Sequence, residues 1–131
     1  MNYDECREYL LSKPEVVEVY PFGSDAPSYK ICHKAFATLS HLQGTGQMNL
    51  KCDPDEAIRL RETFDAVVAG HHMNKRHWNT VILNDSIPSD VLIYMMDLSY
   101  TVVIEGLPQD QQDRLVARHG QAVIHKAKRP E

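Results

Sequence analysis

Gln47-Met48-Asn49-Leu50-Lys51-Cys52-Asp53-Pro54-Asp55-Glu56 holds the end of a strand and the start of a helix, and its reading sets the fold class. Met48, Leu50 and Cys52 fall on one side of an extended chain; Gln47, Asn49 and Lys51 fall on the other. Such alternation belongs to a sheet packed on one face and polar on the opposite one. The helix starts at once. Asp53 is the N-cap, Pro54 takes the first helical position, and Glu56 stands three residues past the cap. Ala57, Leu60 and Phe64 then form its buried stripe.

Two further short strands precede this one, Tyr29 to Cys32 and Ala35 to Ser40. Only His33-Lys34 separates them, which forces antiparallel pairing. Gly44 and Gly46 supply the next hairpin loop. Upstream, Tyr3, Cys6, Tyr9 and Leu10 recur at helical steps, so a helix is expected from Asn2 to Ser12, stopped by Pro14. Val16 to Gly23 reads as extended chain leading to a turn, and Ser24 to Ser28 as loop. Downstream, the chain passes through Val67 to Gly70 and reaches a strand at Trp78 to Leu83.

A long helix is expected from Pro88 or Ser89, with Val91, Met95, Leu98 and Val102 as its stripe and Leu92, Met96 and Val103 widening it. Gly106-Leu107-Pro108 ends it; residues 109–119 read as a short polar helix and 120–131 as a frayed basic tail. This order predicts one α+β domain over residues 1–119, a two-layer arrangement whose antiparallel sheet has helices packed on one face.

The 131 residues are 43% hydrophobic and 24% charged, which fits one globular domain and not a disordered chain. No apolar run has the length of a membrane span. The polar, acidic start Met1 to Arg7 leads us to expect no secretory signal peptide. Cys6, Cys32 and Cys52 form no CxxC pair and read as buried thiols of a cytoplasmic protein. Charge is uneven: residues 1–113 carry nine basic and 17 acidic groups, whereas 114–131 carry five basic and one acidic. An acidic body repels a polyanion at long range, so any nucleic-acid contact has to be local.

The uncommon chemistry sits in His71-His72-Met73-Asn74-Lys75-Arg76-His77-Trp78-Asn79-Thr80. It contains the only tryptophan, and no acidic residue occurs between Ala66 and Asn84. Donors around one large ring suit an anionic or nucleotide-like partner. The same residues also have plain structural uses: Trp78 as a core anchor, Asn74 and Asn79 satisfying turn or edge backbone.

With Leu50 to Pro54, Gly70 to Val81, Ser99-Tyr100, Gly106 to Pro108 and the early Tyr20-Pro21-Phe22-Gly23, the chain resembles the MmcQ/YjbR family from about residue 5 to 108. The resemblance implies a CyaY-like or secretion-chaperone-like fold and DNA binding through a double-wing-like surface. Residues 109–131 run past the usual family end.

The expected site is therefore Lys51, His72, Asn74, Lys75, Arg76, His77, Trp78 and Asn79, helped by Lys30 and Lys34, contacting DNA phosphates and grooves. The alternative is a module for a protein or small anionic ligand with no nucleic-acid activity. No metal, cofactor, membrane or catalytic role is expected, and the protein is expected to be a monomer. His71, His72 and His77 lack zinc-type spacing, and no GxSxG, HExxH or phosphate-loop pattern occurs. Cys52, just before a helix N-terminus, reads as the thiol to alkylate first.

Overall fold

A computed structural model describes residues 1–70 and 73–130. Helix α1 (Tyr3–Ser12) starts from Asn2, whose side chain accepts from the Glu5 amide while the Glu5 carboxylate accepts from the Asn2 amide. There follow β1 (Val17–Val19), β2 (Ser28–Ile31), β3 (Lys34–Leu42), β4 (Thr45–Lys51), α2 (Pro54–Thr63), β5 (Val67–Ala69), β6 (Trp78–Ile82), α3 (Ser89–Glu105), α4 (Gln109–His119) and α5 (Gln121–Ile124). The six strands form one sheet in the order β1-β2-β3-β4-β6-β5, every pair antiparallel. The fold is α+β, as expected. Among the described residues no helix is long and apolar enough to cross a membrane.

Two local devices shape the sheet. The β2–β3 turn is Cys32-His33, one residue earlier than the composition suggested, and both residues have positive φ (48° and 66°). That geometry matches the right-handed twist of a two-residue hairpin. Within β3, Tyr29 pairs with Ala37 and Lys30 with Ala35, so Phe36 is the extra residue of a β-bulge. The bulge buries Phe36 and Ala37 side by side, against the period of two, and sets the Phe36 ring edge-on to Tyr100 of α3 at 5.5 Å. β5 was not anticipated: its three residues are too short for alternation to register.

Helix α3 lies on β2, β3 and β4, and α2 on β5 and β6. α3 is buried nearly all round, because α1 and the C-terminal segment cover its other side. Its stripe is displaced from the expected one: Val91, Leu98 and Val102 are only half-buried, whereas Asp97, Ser99 and Thr101 are buried. Each buried polar group has a partner. Ser99 donates to the Phe36 carbonyl, Thr101 to the Ile124 carbonyl, and Asp97 accepts from Tyr9 and pairs with Lys13. Lys13 and Asp97 side chains are each 5% exposed. Burial lowers the Lys13 pKa, opposed by the carboxylate beside it.

Through residue 130 the C-terminal segment is docked rather than frayed, correcting the expectation for 120–131. Ile124 is fully buried, Lys126 donates to the Tyr9 hydroxyl, and Arg129 reaches Glu56 at 2.9 Å. The acidic body thus receives its own basic end.

Removing one member of a buried ion pair strands the other, at a cost of about 3 kcal/mol or more. Lys13→Met is expected to lower unfolding stability by that amount in a urea titration. Arg118→Ala, whose side chain is 60% exposed, is expected to leave the midpoint unchanged.

Candidate functional site

Strand register sets one hydroxyl or amide on each of four neighbouring strands in a single row: Ser28, Thr38, Asn49 and Thr80. The row lies on the sheet face away from the helices. Thr80 Oγ1 donates to Asn49 Oδ1 at 2.5 Å, and Asn49 Nδ2 donates to Thr38 Oγ1 at 2.9 Å. Ser28, Thr38 and Thr80 are nonetheless buried, because loops from both sides fold toward them. Phe22 and Ala26 from one loop and Met73 from the other, with Thr38, Leu39, Ser40 and Asn49, bound an open cleft of about 290 Å³. The far end of the Phe22 loop is tied to β3, where the Leu39 amide donates to the Pro27 carbonyl.

The second loop holds most of the expected site. The Asn74 side chain accepts from the Arg76 amide at 2.9 Å, the His77 amide donates to the Asn74 carbonyl, and Arg61 of α2 donates to the Lys75 carbonyl. Asn74 is thus a turn former, and it leaves Lys75 and Arg76 exposed at the tip. The His77 carbonyl accepts from the Cys52 amide, which carries the β4–β6 ladder into the loop. Trp78 is half-buried opposite Lys51, one step along the strands from Asn49–Thr80. Gly70 makes this possible, since a Cβ there would lie 3.0 Å from the Trp78 Cβ.

Not every expected residue is placed in this group. Asn79 pairs in register with Leu50, is 2% exposed and donates to the Ala57 carbonyl, so it faces the helices and touches no ligand on the open side. Its Oδ1 is the one buried side-chain polar atom without a partner among the described residues, beside a void of about 10 Å³, room for a single water. His72 lies outside the described residues. Lys51 is half-buried and also borders a groove with Lys34 and the C-terminal end of α3 (Val102, Val103, Gly106), where its charge complements the helix dipole. Lys30 lies farther off, in a cleft with Glu15, Cys32 and Arg114.

Electrostatics sort the remaining cations. Glu15 accepts Arg114, Arg118 and His119, and its pKa is lowered chiefly by His119. Glu56 accepts Arg59, Tyr94 and Arg129, and the Arg59 guanidinium holds its carboxyl down to about 2. The basic C-terminal stretch is thus largely spent on internal carboxylates. Among the described residues Lys51, Lys75 and Arg76 have no carboxylate within ion-pair distance. The sequence signalled the polar side of β4 through Gln47 and Asn49, but not Phe22 or Met73, whose role comes from loops closing over the sheet.

A family model described as YjbR matches residues 11–102. Over 113 residues the chain is 30% identical to YbdF of Escherichia coli O157:H7, named as an uncharacterised protein, covering 86% of this chain and 93% of that one. YjbR of Escherichia coli K12, named likewise, is 29% identical over 116 residues, 88% of this chain and 98% of its own. A solved structure of a Deinococcus radiodurans protein with a DUF419 domain has a TM-score of 0.80 at 26% identity, over 87% of each chain. A Pseudomonas syringae protein shares the fold at a TM-score of 0.68 and 22% identity, covering 78% of this chain and 98% of its own.

The thiols need one correction. Cys52 is 4% exposed and burial pushes its pKa up to about 12, so its place before α2 does not make it reactive. Cys6 is fully buried and likewise pushed up to about 11. Cys32, half-buried in the hairpin turn with the Arg114 guanidinium 3.5 Å from its sulfur, is the accessible one. An aromatic disulfide reagent is expected to titrate one fast thiol in the native protein, lost in Cys32→Ser, and the other two only in denaturant.

Proposed function

The chain belongs to the YjbR family, and from that premise we propose that it is a binding protein, not a catalyst, and that it holds DNA weakly through phosphate contacts. The supporting observation is a pair of adjacent cations with no carboxylate in ion-pair distance among the described residues: Lys75 and Arg76 at an exposed turn, with Lys51 at the neighbouring strand end. The backbone that carries Lys75 and Arg76 is a short turn tied to α2, so the loop itself loses little order on binding.

Two further observations fit this reading. The most strongly shifted carboxylate, Glu56, is saturated by structural partners and so is poorly suited to proton transfer. Free thiols at Cys6, Cys32 and Cys52 agree with a reducing cytoplasm. No cofactor enters the proposal, and the working unit is a monomer. The alternative, a module for a protein or a small anion, draws on the acidic body, which limits attraction of a long polyanion.

Three phosphate contacts imply a salt dependence of log affinity with a slope of about −3. Duplex DNA titrated at low salt is expected to bind with that slope, and Lys75→Ala with Arg76→Ala to reduce it to about −1. Absence of binding at low salt, or a double variant that binds like the parent, rejects this function and leaves the alternative.

A further inference from the structure

Resting on the nucleic-acid reading above, we propose that the preferred ligand is a single strand, with one unstacked base seated in the cleft between Phe22 and Met73 over Asn49.

The cleft and the free cations share one loop. Met73 forms one cleft wall, and Lys75 and Arg76 follow it by two and three residues in the same loop. In the proposed complex the phosphates lie against Lys75 and Arg76 and one base turns into the cleft beside Met73. At about 290 Å³ the cleft admits one ring system. A double helix cannot enter such a concavity, and its bases present only edges, because their faces are stacked. Only a strand with splayed bases uses both features.

The lining has the chemistry of a base site. Phe22 is 75% exposed, at the tip of a loop whose next residue, Gly23, has φ +104°, a conformation other residues rarely adopt. The flat ring is offered to solvent as a stacking platform, and Met73 opposes it with a polarisable side chain. The floor is neutral and can hydrogen-bond. Each half of the Asn49 amide makes one bond within the row, its nitrogen to Thr38 and its oxygen from Thr80. That leaves one N–H and one lone pair for a ligand, the pairing a base edge offers. Thr38 and Ser40 add hydroxyls beside it. Among the described residues the cleft lining holds no charged side chain, as suits an uncharged ring whose phosphates lie outside.

The test uses fluorescence anisotropy at low salt with three labelled probes: a short single-stranded DNA of mixed sequence, its duplex, and an abasic strand of equal length. The single strand is expected to bind about tenfold tighter than either other probe, the worth of one stacked base. Phe22→Ala, at a site too exposed to disturb folding, is expected to bring the single strand to the abasic level with an unchanged salt slope. Asn49→Ala should act in the same direction. Duplex or abasic strand binding as tightly as the single strand overturns the inference while leaving phosphate binding intact. Phe22→Ala without effect does the same. If none of the probes binds, the nucleic-acid reading falls and this inference falls with it.

Discussion

The hydrogen-bonded row from Thr80 through Asn49 to Thr38 is the interaction on which the surface depends. The helices cover only one face of the six-stranded sheet, so the other face must keep its own polar groups satisfied. Buried hydroxyls without partners would be costly there. Linking three central strands through one amide removes that cost and locks Asn49 in a single orientation. A uniformly apolar face would invite aggregation, and a charged one would not tolerate loops folding over it. Neutral side chains at Ser28, Thr38, Asn49 and Thr80 permit a partly covered floor with an open cleft.

Charge is arranged with similar consequence. The body is acidic and the last eighteen residues are basic, a split that would ordinarily mark the tail as the anion-binding element. Folding reverses that assignment. Arg114, Arg118 and His119 gather on Glu15, Arg129 on Glu56, and Lys126 on the Tyr9 hydroxyl beside Asp97. These contacts hold the C-terminal segment over α3, where Ile124 completes the core. The cations left without carboxylates include the loop pair at 75–76, carried on a turn whose backbone is tied to α2.

Much of the architecture was legible in the residues. Alternation in β4, the Asp53-Pro54 start of α2 and the two-residue β2–β3 connection fix three strands and a helix from local chemistry alone. What escaped was tertiary. Asp97, Ser99 and Thr101 look like a solvated side of α3, yet they are buried under α1 and the C-terminal segment, which no periodicity announces. The Phe36 bulge breaks the period of two. For the candidate site, composition singled out the segment from His72 to Asn79, but not that Asn79 turns inward. Counting alternation from Leu50 across the β4–β6 register places it toward the helices, and that register exists only once the sheet is assembled.

The central claim is that ligand meets the uncovered sheet face, not the helical side or the C-terminal segment. Amide and side-chain NMR shift mapping, with a short single-stranded DNA added at low salt, addresses it directly. The account predicts the largest changes at Thr38, Ser40, Asn49, residues 73–77 and the Trp78 indole, with α3 and residues 109–130 unmoved. Changes centred on residues 109–130, or on the Lys30–Cys32–Arg114 cleft, would contradict it.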